Sequence, residues 1–298
     1  MITADSLHKR FGERVAVDDM TFAIAPGETF GLLGPNGAGK TTTISMLVGL
    51  LKPDQGSIQI GAESSSVGSP SDAGIRQQIG VAPQALSLYE ELTARENLDF
   101  FGGLYGLTGS SLKQRRECVL DLSGLSDRQQ ERVETYSGGM KRRLNIAAAL
   151  IHEPSILLLD EPTVGVDPQS RNHIFECIQS LSDAGLTIVY TTHYMEEAQR
   201  LCDRVAIMDH GRLLALDTVD RLIEAHGRLS VVTAQLKSAN GQELPGRLDD
   251  DQLRFESDAP LEEIARLSGL GVEFQTLNIV RPDLESVFLS LTGRSLRD

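Results

Sequence analysis

The residues from Gly34 to Thr41 have the types and the spacing of a phosphate-binding loop. They fit the pattern GxxxxGK[ST], and they lie between a segment that predicts a strand and a segment that predicts a helix. Glycines allow backbone N–H groups to approach a phosphate chain, and the start of a helix adds partial positive charge. We expect the Lys40 ammonium to reach the outer phosphates and the Thr41 hydroxyl to hold Mg²⁺. The alternative is a glycine-rich turn with an exposed lysine.

Two adjacent carboxylates, Asp160 and Glu161, follow the apolar run at 156–159. A strand of a parallel sheet delivers the residues at its carboxyl end to the edge where ligands bind. Successive side chains of a strand point to opposite faces, so the two carboxylates take different roles only if the strand ends there, and Pro162 ends it. We expect Asp160 to suit a Mg²⁺-bound water and Glu161 to suit a general base. Without the phosphate loop, a strand capped by charged surface residues is the better interpretation.

Weaker candidates fall at other element ends. Ser137-Gly138-Gly139 precedes a predicted helix, whose exposed N–H groups could bind a second anion, although a serine cap followed by glycines is usually only structural. His193 follows an apolar strand and could contact a terminal phosphate; its alternative is a capping or core histidine. Gln84 follows the predicted strand at 79–82, and Phe11 with Gly12 precedes the first predicted hairpin. Each of these two, taken alone, favours a structural role.

The elements that position these residues alternate between strands and helices, which indicates a mainly parallel sheet with helices on its faces. The first hairpin is predicted from strands at 15–24 and 29–33 around the turn Pro26-Gly27. The other predicted strands of this part lie at 57–60, 79–82, 156–159, 186–191 and 204–208. The predicted helices lie at 40–51, 140–151, 168–182 and 194–201.

Two regions interrupt this alternation, and the chain changes character near its end. Residues 63–74 are rich in Ser and Gly and predict a loop or a small insertion. From about residue 86 the strand signal vanishes, and helices at 93–101 and 111–122 indicate a helical subdomain, about 86–150. After Gly227, strands at 229–236, 252–255 and 272–280 with helices at 261–267 and 283–291 predict a small α+β domain. We place the boundary at 225–228, which gives domains at 1–226 and 227–298.

The length of 298 residues agrees with about two domains at roughly 150 residues each. The formal net charge of −14 disfavours nucleic acid as a partner and disfavours direct adsorption to an anionic membrane. No apolar run approaches the ~20 residues of a membrane span, and the first ten residues do not form a signal peptide. Three irregularly spaced cysteines predict reduced packing residues. We therefore expect a cytoplasmic protein that reaches any membrane only through a partner.

Taken in order, these motifs resemble those of the ATP-binding subunit of an ABC transporter, and the resemblance covers nearly the whole chain. It implies an α/β fold: a P-loop NTPase core with an antiparallel β subdomain and a helical subdomain, followed by the small C-terminal α+β domain. The implied cofactors are ATP and Mg²⁺. The implied partners are a second copy of the chain, in an ATP-dependent head-to-tail dimer, and a separate multi-span membrane subunit, with no nucleic acid.

The resemblance also implies a role for each candidate residue. Phe11 would stack on adenine, residues 34–42 would form Walker A, Gln84 the Q-loop, 136–140 the signature and 164–167 the D-loop. The implied ATP-binding residues are Phe11, Gly34, Pro35, Asn36, Gly37, Ala38, Gly39, Lys40, Thr41, Thr42, Ser137, Gly138, Gly139 and Asp167. The implied catalytic residues are Glu161, His193 and Lys40. The implied metal ligands are Thr41, Gln84 and Asp160.

Two positions depart from the usual pattern of that family. The aromatic residue near the N-terminus is usually Tyr and the signature is usually LSGGQ, whereas this chain has Phe11, Tyr136 and Met140. Phe still offers a ring face worth roughly 1–3 kcal/mol of base stacking. Met140 removes an amide side chain, but the Ser137 hydroxyl and the glycine N–H groups remain.

Residues 90–101 and the tail at 282–293 resemble the drug-resistance type of exporter ATPase, similar to daunorubicin-exporter subunits. That subgroup implies an exporter of a drug or of a lipid- or polysaccharide-like substrate, with the chain held peripherally at the cell membrane by its membrane subunit.

One alternative is a soluble ABC-type ATPase that acts on a ribosome or on DNA ends. Against it stand the single phosphate loop, the lack of a long coiled-coil insertion and the net charge. The other is a regulatory module that binds nucleotide without hydrolysis, which Glu161 and His193 disfavour. The C-terminal domain could pair with the second copy or simply cover the core.

Overall fold

The computed structural model describes residues 1–61, 67–227, 229–239 and 241–293. Its strands are β1 (Ile2–Phe11), β2 (Arg14–Ile24), β3 (Thr29–Leu33), β4 (Gln55–Ile60), β5 (Ile79–Ala82), β6 (Ile156–Asp160), β7 (Thr187–Thr192), β8 (Arg204–Asp209), β9 (Arg212–Thr218), β10 (Ser230–Ser238), β11 (Arg247–Asp249), β12 (Gln252–Ser257) and β13 (Glu273–Val280). Its α-helices are α1 (Lys40–Leu47), α2 (Ala73–Arg76), α3 (Ala94–Leu104), α4 (Gly109–Leu122), α5 (Gly138–Leu150), α6 (Pro168–Asp183), α7 (Met195–Leu201), α8 (Val219–His226), α9 (Pro260–Gly269) and α10 (Leu284–Thr292).

A six-stranded sheet with the order β5-β6-β7-β3-β8-β9 positions the candidate residues. Its first five strands are parallel, and β9 pairs antiparallel with β8. The strands β3, β6 and β7 are buried along their whole length, because a parallel sheet is covered on both faces. Their carboxyl ends, together with that of β5, meet at one edge. The phosphate loop, Gln84, Glu161 and His193 all follow these four strands, and Asp160 is the last residue of β6.

The predicted first hairpin is wrong. The strand β2 pairs with β1 in an antiparallel sheet of order β2-β1-β4, whereas β3 lies in the other sheet between β7 and β8. The burial patterns explain the difference: β2 has an exposed face, but β3 is buried on both faces and suits the centre of a covered sheet. Phe11 therefore lies opposite Arg14 at the tip of the first hairpin and not before it.

One hydrophobic core joins the antiparallel sheet, α1 and one face of the parallel sheet. Within it, the Phe22 and Phe30 rings stack with centroids 5.4 Å apart. The helix α1 ends at Leu47, short of the predicted 51, because Gly49 has a φ of +73° and a Cβ there would lie 2.5 Å from the Pro70 carbonyl oxygen. The left-handed backbone of Gly49 thus ends the helix before Pro53 does.

The helices α3, α4 and α5 form the region predicted to be a helical subdomain. A capping box begins α3, in which Thr93 and Glu96 satisfy each other's backbone N–H groups. The helix α5 begins at Gly138, two residues before the predicted start, because Ser137 is its cap. The last two residues of the loop predicted at 63–74 belong to the short helix α2, and residues 63–66 of that loop lie outside the described residues.

The chain divides into two compact units, Met1–Val219 and Asp220–Asp298. The second unit contains a sheet of order β11-β12-β10-β13, and its core includes Val232, Phe255 and Leu267. The sequence did not predict β1, β9 or the three-residue strand β11. The domain boundary at 226 stays a prediction, and Arg228 in the predicted boundary lies outside the described residues. Among the described helices, none has the length and apolar composition needed to cross a membrane.

Candidate functional site

The loop between β3 and α1 can form only with glycine at key positions. A Cβ on Gly34 would lie 2.3 Å from the Met208 carbonyl oxygen, and a Cβ on Gly39 would lie 2.4 Å from that of Ala16. Gly39 also has a φ of +106°, a conformation that L side chains rarely adopt. The backbone therefore follows the closely packed path that leaves its N–H groups available at the start of α1.

Lys40 points back into this loop. Its Nζ donates to the carbonyl oxygens of Gly34 at 2.7 Å and Pro35 at 3.1 Å, and the side chain is 4% exposed. The same ammonium lies 3.0 Å from Oε1 of Glu161. A buried ammonium that already faces a carboxylate is placed to donate to a phosphate oxygen in the same position.

Glu161 is the residue on which the predicted groups converge. Besides Lys40, the Gln84 Nε2 donates to its Oε2 at 3.1 Å, and Nδ1 of His193 lies 3.4 Å from its Oε1. Its φ is +45°, which is unusual for a residue with a side chain, and such backbone strain is typical of functional sites. The left-handed turn directly after β6 aims this side chain at the phosphate loop.

Asp160 has different surroundings from Glu161. It is 4% exposed, and the Thr191 hydroxyl donates to its Oδ1 at 2.6 Å. Together with the Thr41 hydroxyl and the side-chain amide oxygen of Gln84, Asp160 offers the hard oxygen ligands that Mg²⁺ prefers. Within the described residues, no cluster of three His, Cys, Asp or Glu side chains could hold a metal, so a Mg²⁺ site here needs this mixed oxygen set.

A cleft of about 440 Å³ opens above these groups. The predicted site residues that line it are Phe11, Asn36, Gly37, Gly39, Lys40, Thr41, Thr42, Gln84 and Glu161. Phe11 is 51% exposed, so a ring face is available to a flat ligand at one end. Arg14 also lines the cleft, with Nη2 3.4 Å from the Gly37 carbonyl oxygen. Arg14 was not predicted, because a single basic residue in a hairpin belongs to no motif.

A second group of predicted residues lies apart from the lining of this cleft. The Ser137 hydroxyl accepts the Met140 N–H at 3.2 Å and caps α5, and Gly138 beside it is exposed. A Cβ on Gly139 would lie 3.3 Å from Oδ2 of Asp167, so the signature and Asp167 are neighbours. Asp167 accepts the Ser170 backbone N–H at 2.9 Å, and this bond holds the pKa of Asp167 below its usual value.

Alanine substitutions at the two signature glycines should have different effects on stability. A Cβ on Gly139 would lie 2.1 Å from Oγ and 2.3 Å from Cβ of Ser170, so Gly139→Ala forces α5 and α6 apart. We expect a loss of about 1–3 kcal/mol in the free energy of unfolding. At Gly138, the nearest atom to an added Cβ is the Gly165 carbonyl oxygen at 3.9 Å, so Gly138→Ala should keep or slightly raise stability. Thermal unfolding of both variants checks this, and equal midpoints would contradict it.

The helix α5 also holds the backbone of Gln84 in place. Arg142 Nη1 donates to the carbonyl oxygens of Pro83 at 3.0 Å and Gln84 at 2.9 Å, and burial lowers the pKa of Arg142. Asn145, one turn later, donates to the Pro83 oxygen at 3.3 Å and accepts the Ser87 N–H at 3.2 Å. These two residues were not predicted. Their spacing of three residues indicates that both lie on one face of the helix, but the sequence does not show which segment that face contacts.

Comparisons with known proteins agree with this geometry. The family model described as "ABC transporter" matches residues 17–164. The chain is 41% identical to the linearmycin resistance ATP-binding protein LnrL of Bacillus subtilis (strain 168), over all of both chains. It is 41% identical to the Nod factor export ATP-binding protein I of Rhizobium sp. (strain N33), over 97% of this chain and 95% of the relative. The dimeric post-hydrolysis structure of the ATP-binding cassette MJ0796 with ADP and Pi superposes with a TM-score of 0.65 at 26% identity, over 73% of this chain and 98% of that chain.

Proposed function

The chain belongs to the ATP-binding subunits of ABC transporters, and from this premise we propose that it drives export through a separate multi-span membrane subunit. It is an ATP hydrolase with a P-loop NTPase fold. The observation that carries the catalytic part of the proposal is the convergence of Lys40, Gln84 and His193 on Glu161 beneath the phosphate loop. Each of these contacts joins segments that are far apart in sequence.

In this proposal, Glu161 accepts the proton of the water that attacks the terminal phosphate, and His193 and Gln84 fix its orientation. Lys40 and the loop N–H groups bind the phosphate oxygens and stabilise the charge that develops on them. Phe11 stacks on the base. Thr41, Gln84 and Asp160 would hold Mg²⁺, which neutralises charge on the phosphate chain when it is bound.

A second copy of the chain completes each site. Ser137, Gly138 and Asp167 do not line the cleft that contains Lys40, although the start of α5 has the N–H groups of an anion site. In a head-to-tail pair, the α5 start of one copy would face the phosphate loop of the other. The dimeric state of the MJ0796 cassette supports this arrangement. Hydrolysis then depends on closure of the pair, because the second half of each site arrives with the partner.

An aromatic surface on the helical subdomain suits the membrane subunit. Tyr89 and Phe100 are 46% and 42% exposed, and the ring of Phe100 lies 4.9 Å from that of Tyr89 and 5.4 Å from that of Phe101. Exposed aromatic clusters of this kind are enriched at protein interfaces. We call these three residues the aromatic surface.

The aromatic surface is connected to the catalytic carboxylate through a short chain of contacts. Asn97 accepts the Tyr89 N–H at 2.9 Å and donates to the Tyr89 carbonyl oxygen at 2.9 Å. The segment between Tyr89 and Gln84 is held by Asn145 at Ser87 and by Arg142 at Gln84. A change in the position of Gln84 on ATP binding therefore reaches the residues that would contact the membrane subunit.

Co-purification tests the partner. Tagged Glu161→Gln protein is isolated from detergent-solubilised membranes with and without Mg-ATP, and the same experiment is done after a second substitution, Phe100→Asp. We expect a multi-span membrane protein with the first protein and its loss with the second. The control is Leu50→Asp, since Leu50 is 82% exposed on another part of the chain. Ribosomal or DNA-repair proteins in place of the membrane protein would support the soluble ATPase. Retention of the membrane protein after Phe100→Asp would contradict the role of the aromatic surface in binding it.

The names of the relatives support a direction of transport. LnrL is named for resistance to linearmycin and the Nod factor protein for export. By this similarity we propose export of a drug-like or lipid- or polysaccharide-like compound, with the chain held peripherally at the membrane by its partner. These names favour the transporter over both alternatives.

A further inference from the structure

Glu197 is a buried carboxylate to which neither the motifs nor the proposed catalytic steps give a role. It lies on α7 and is 2% exposed. Burial of a carboxylate costs free energy unless hydrogen bonds and a nearby cation compensate for the lost water. The surroundings of Glu197 supply both.

Three hydroxyl groups donate to this carboxylate. Thr163 Oγ1 donates to Oε1 at 2.6 Å, whereas Tyr190 OH at 2.9 Å and Thr192 Oγ1 at 2.8 Å both donate to Oε2. All three donors are buried, and Tyr190 is fully enclosed. The two oxygens of one carboxylate therefore bind two different segments of the chain: the turn after β6 and the end of β7.

These segments carry the groups proposed for hydrolysis. Thr163 lies two residues after Glu161 and four before Asp167, and Thr192 directly precedes His193. Thr192 Oγ1 also accepts the Tyr194 N–H at 2.9 Å, which fixes the turn that presents His193. Glu197 thus adds a buried side-chain link between the turn that carries Glu161 and the turn that carries His193, beside the pairing of β6 with β7.

A cation reinforces this link from a third element. Arg171 on α6 has Nε 3.9 Å from Oε1 of Glu197, and its guanidinium lies over the Tyr194 ring at 5.3 Å. The Tyr194 ring in turn lies 4.1 Å from the His193 ring. Arg171 therefore lies near the carboxylate and also packs on the ring that contacts His193.

We propose that Glu197 is a positioning residue for ATP hydrolysis, which holds the His193 turn in fixed register with the segment from Glu161 to Asp167. The proposal rests on the proposed function, because it takes the roles of His193 and Glu161 from there. Glu197 itself is not among the residues that line the cleft. Its effect is on the geometry between two groups that must meet the same phosphate, and small displacements of such groups have large effects on rate.

Steady-state phosphate release and ATP affinity are measured for the wild type, Glu197→Gln, His193→Ala and the double variant. Glu197→Gln keeps the side-chain volume but removes an acceptor, and we expect kcat to fall about 10- to 100-fold with the ATP dissociation constant unchanged. Since Glu197 acts largely through His193, the double variant should lose much less than the product of the two single losses. A purely multiplicative loss, or wild-type kcat in Glu197→Gln, would overturn the proposal.

Two further variants keep the outcome decisive. Glu196→Gln changes the neighbouring exposed carboxylate on the same helix and should leave kcat unchanged. If Glu197→Gln does not fold, Thr163→Val takes its place, because it removes only the hydroxyl that donates to Glu197 from the turn after β6. Its kcat should fall, and its loss should combine with that of His193→Ala to less than the product of the two. Absence of hydrolysis in both the wild type and Glu196→Gln would reject the proposed function. Normal hydrolysis in those two proteins and in Glu197→Gln would reject only the role of Glu197.

Discussion

Replacement of Glu161 by Gln should leave ATP binding in place and lower turnover by about 10²–10⁴-fold, the usual contribution of a general base. The amide has the shape of the carboxylate but cannot accept a proton from water. The contacts of the phosphate loop do not depend on that proton, so nucleotide affinity should persist or increase. Steady-state phosphate release and equilibrium nucleotide binding, measured on the same protein, separate the two effects.

The matched control for Glu161→Gln is Glu117→Gln on α4, where the carboxylate is 61% exposed and pairs with Lys113 across one helical turn. This control should hydrolyse ATP at the wild-type rate. Wild-type turnover in Glu161→Gln would contradict the assignment of the base. Absence of turnover in the unsubstituted chain would instead favour the nucleotide sensor over the hydrolase.

Replacement of Lys40 by Ala, unlike that of Glu161 by Gln, should weaken ATP binding itself. The ammonium is buried inside the loop, so its hydrogen bonds to a phosphate oxygen are charge-assisted and shielded from water. Loss of about 1.5–3 kcal/mol per such bond weakens ATP binding roughly 10- to 100-fold. The substitution also leaves the buried Glu161 carboxylate without its cation, which destabilises the nucleotide-free site.

Titration of a fluorescent ATP analogue into Lys40→Ala measures this effect. The control is Lys113→Ala, because Lys113 is 68% exposed on α4 and its removal should not change nucleotide affinity. If Lys40→Ala binds ATP as the wild type does, Lys40 does not contact the phosphates. Together, the Lys40 and Glu161 variants distinguish a residue needed to bind from a residue needed to react.

The sequence predicted the parts of the site that depend on local patterns. The loop after β3 and the ends of β6 and β7 were located within a residue or two, because a continuous apolar run followed by a polar residue marks the end of a buried strand. Since these strands are parallel, their carboxyl ends were expected at one edge. The structure brings Lys40, Gln84, Glu161 and His193 within contact distance there.

What the sequence did not predict depends on long-range contacts. The wrong first hairpin arose because adjacent strands usually pair, whereas β3 is drawn to the centre of the other sheet. The strand β1 was not predicted, because register shifts interrupt its alternation of buried and exposed side chains. Arg142 and Glu197 sit on helices as ordinary charged residues, and only the folded chain shows that Pro83, Gln84, Thr163 and Thr192 surround them.

The ion pair between Lys40 and Glu161 makes nucleotide binding an exchange of one anion for another. The carboxylate acts as an internal competitor, since a phosphate oxygen must displace it before it can use the lysine fully. Affinity for ATP is therefore a difference between two favourable interactions and understates the strength of the loop as a phosphate site. The displaced carboxylate is freed at the moment when a phosphate arrives. In the proposed mechanism, the general base Glu161 is therefore paired with Lys40 in the absence of nucleotide and becomes available when ATP binds.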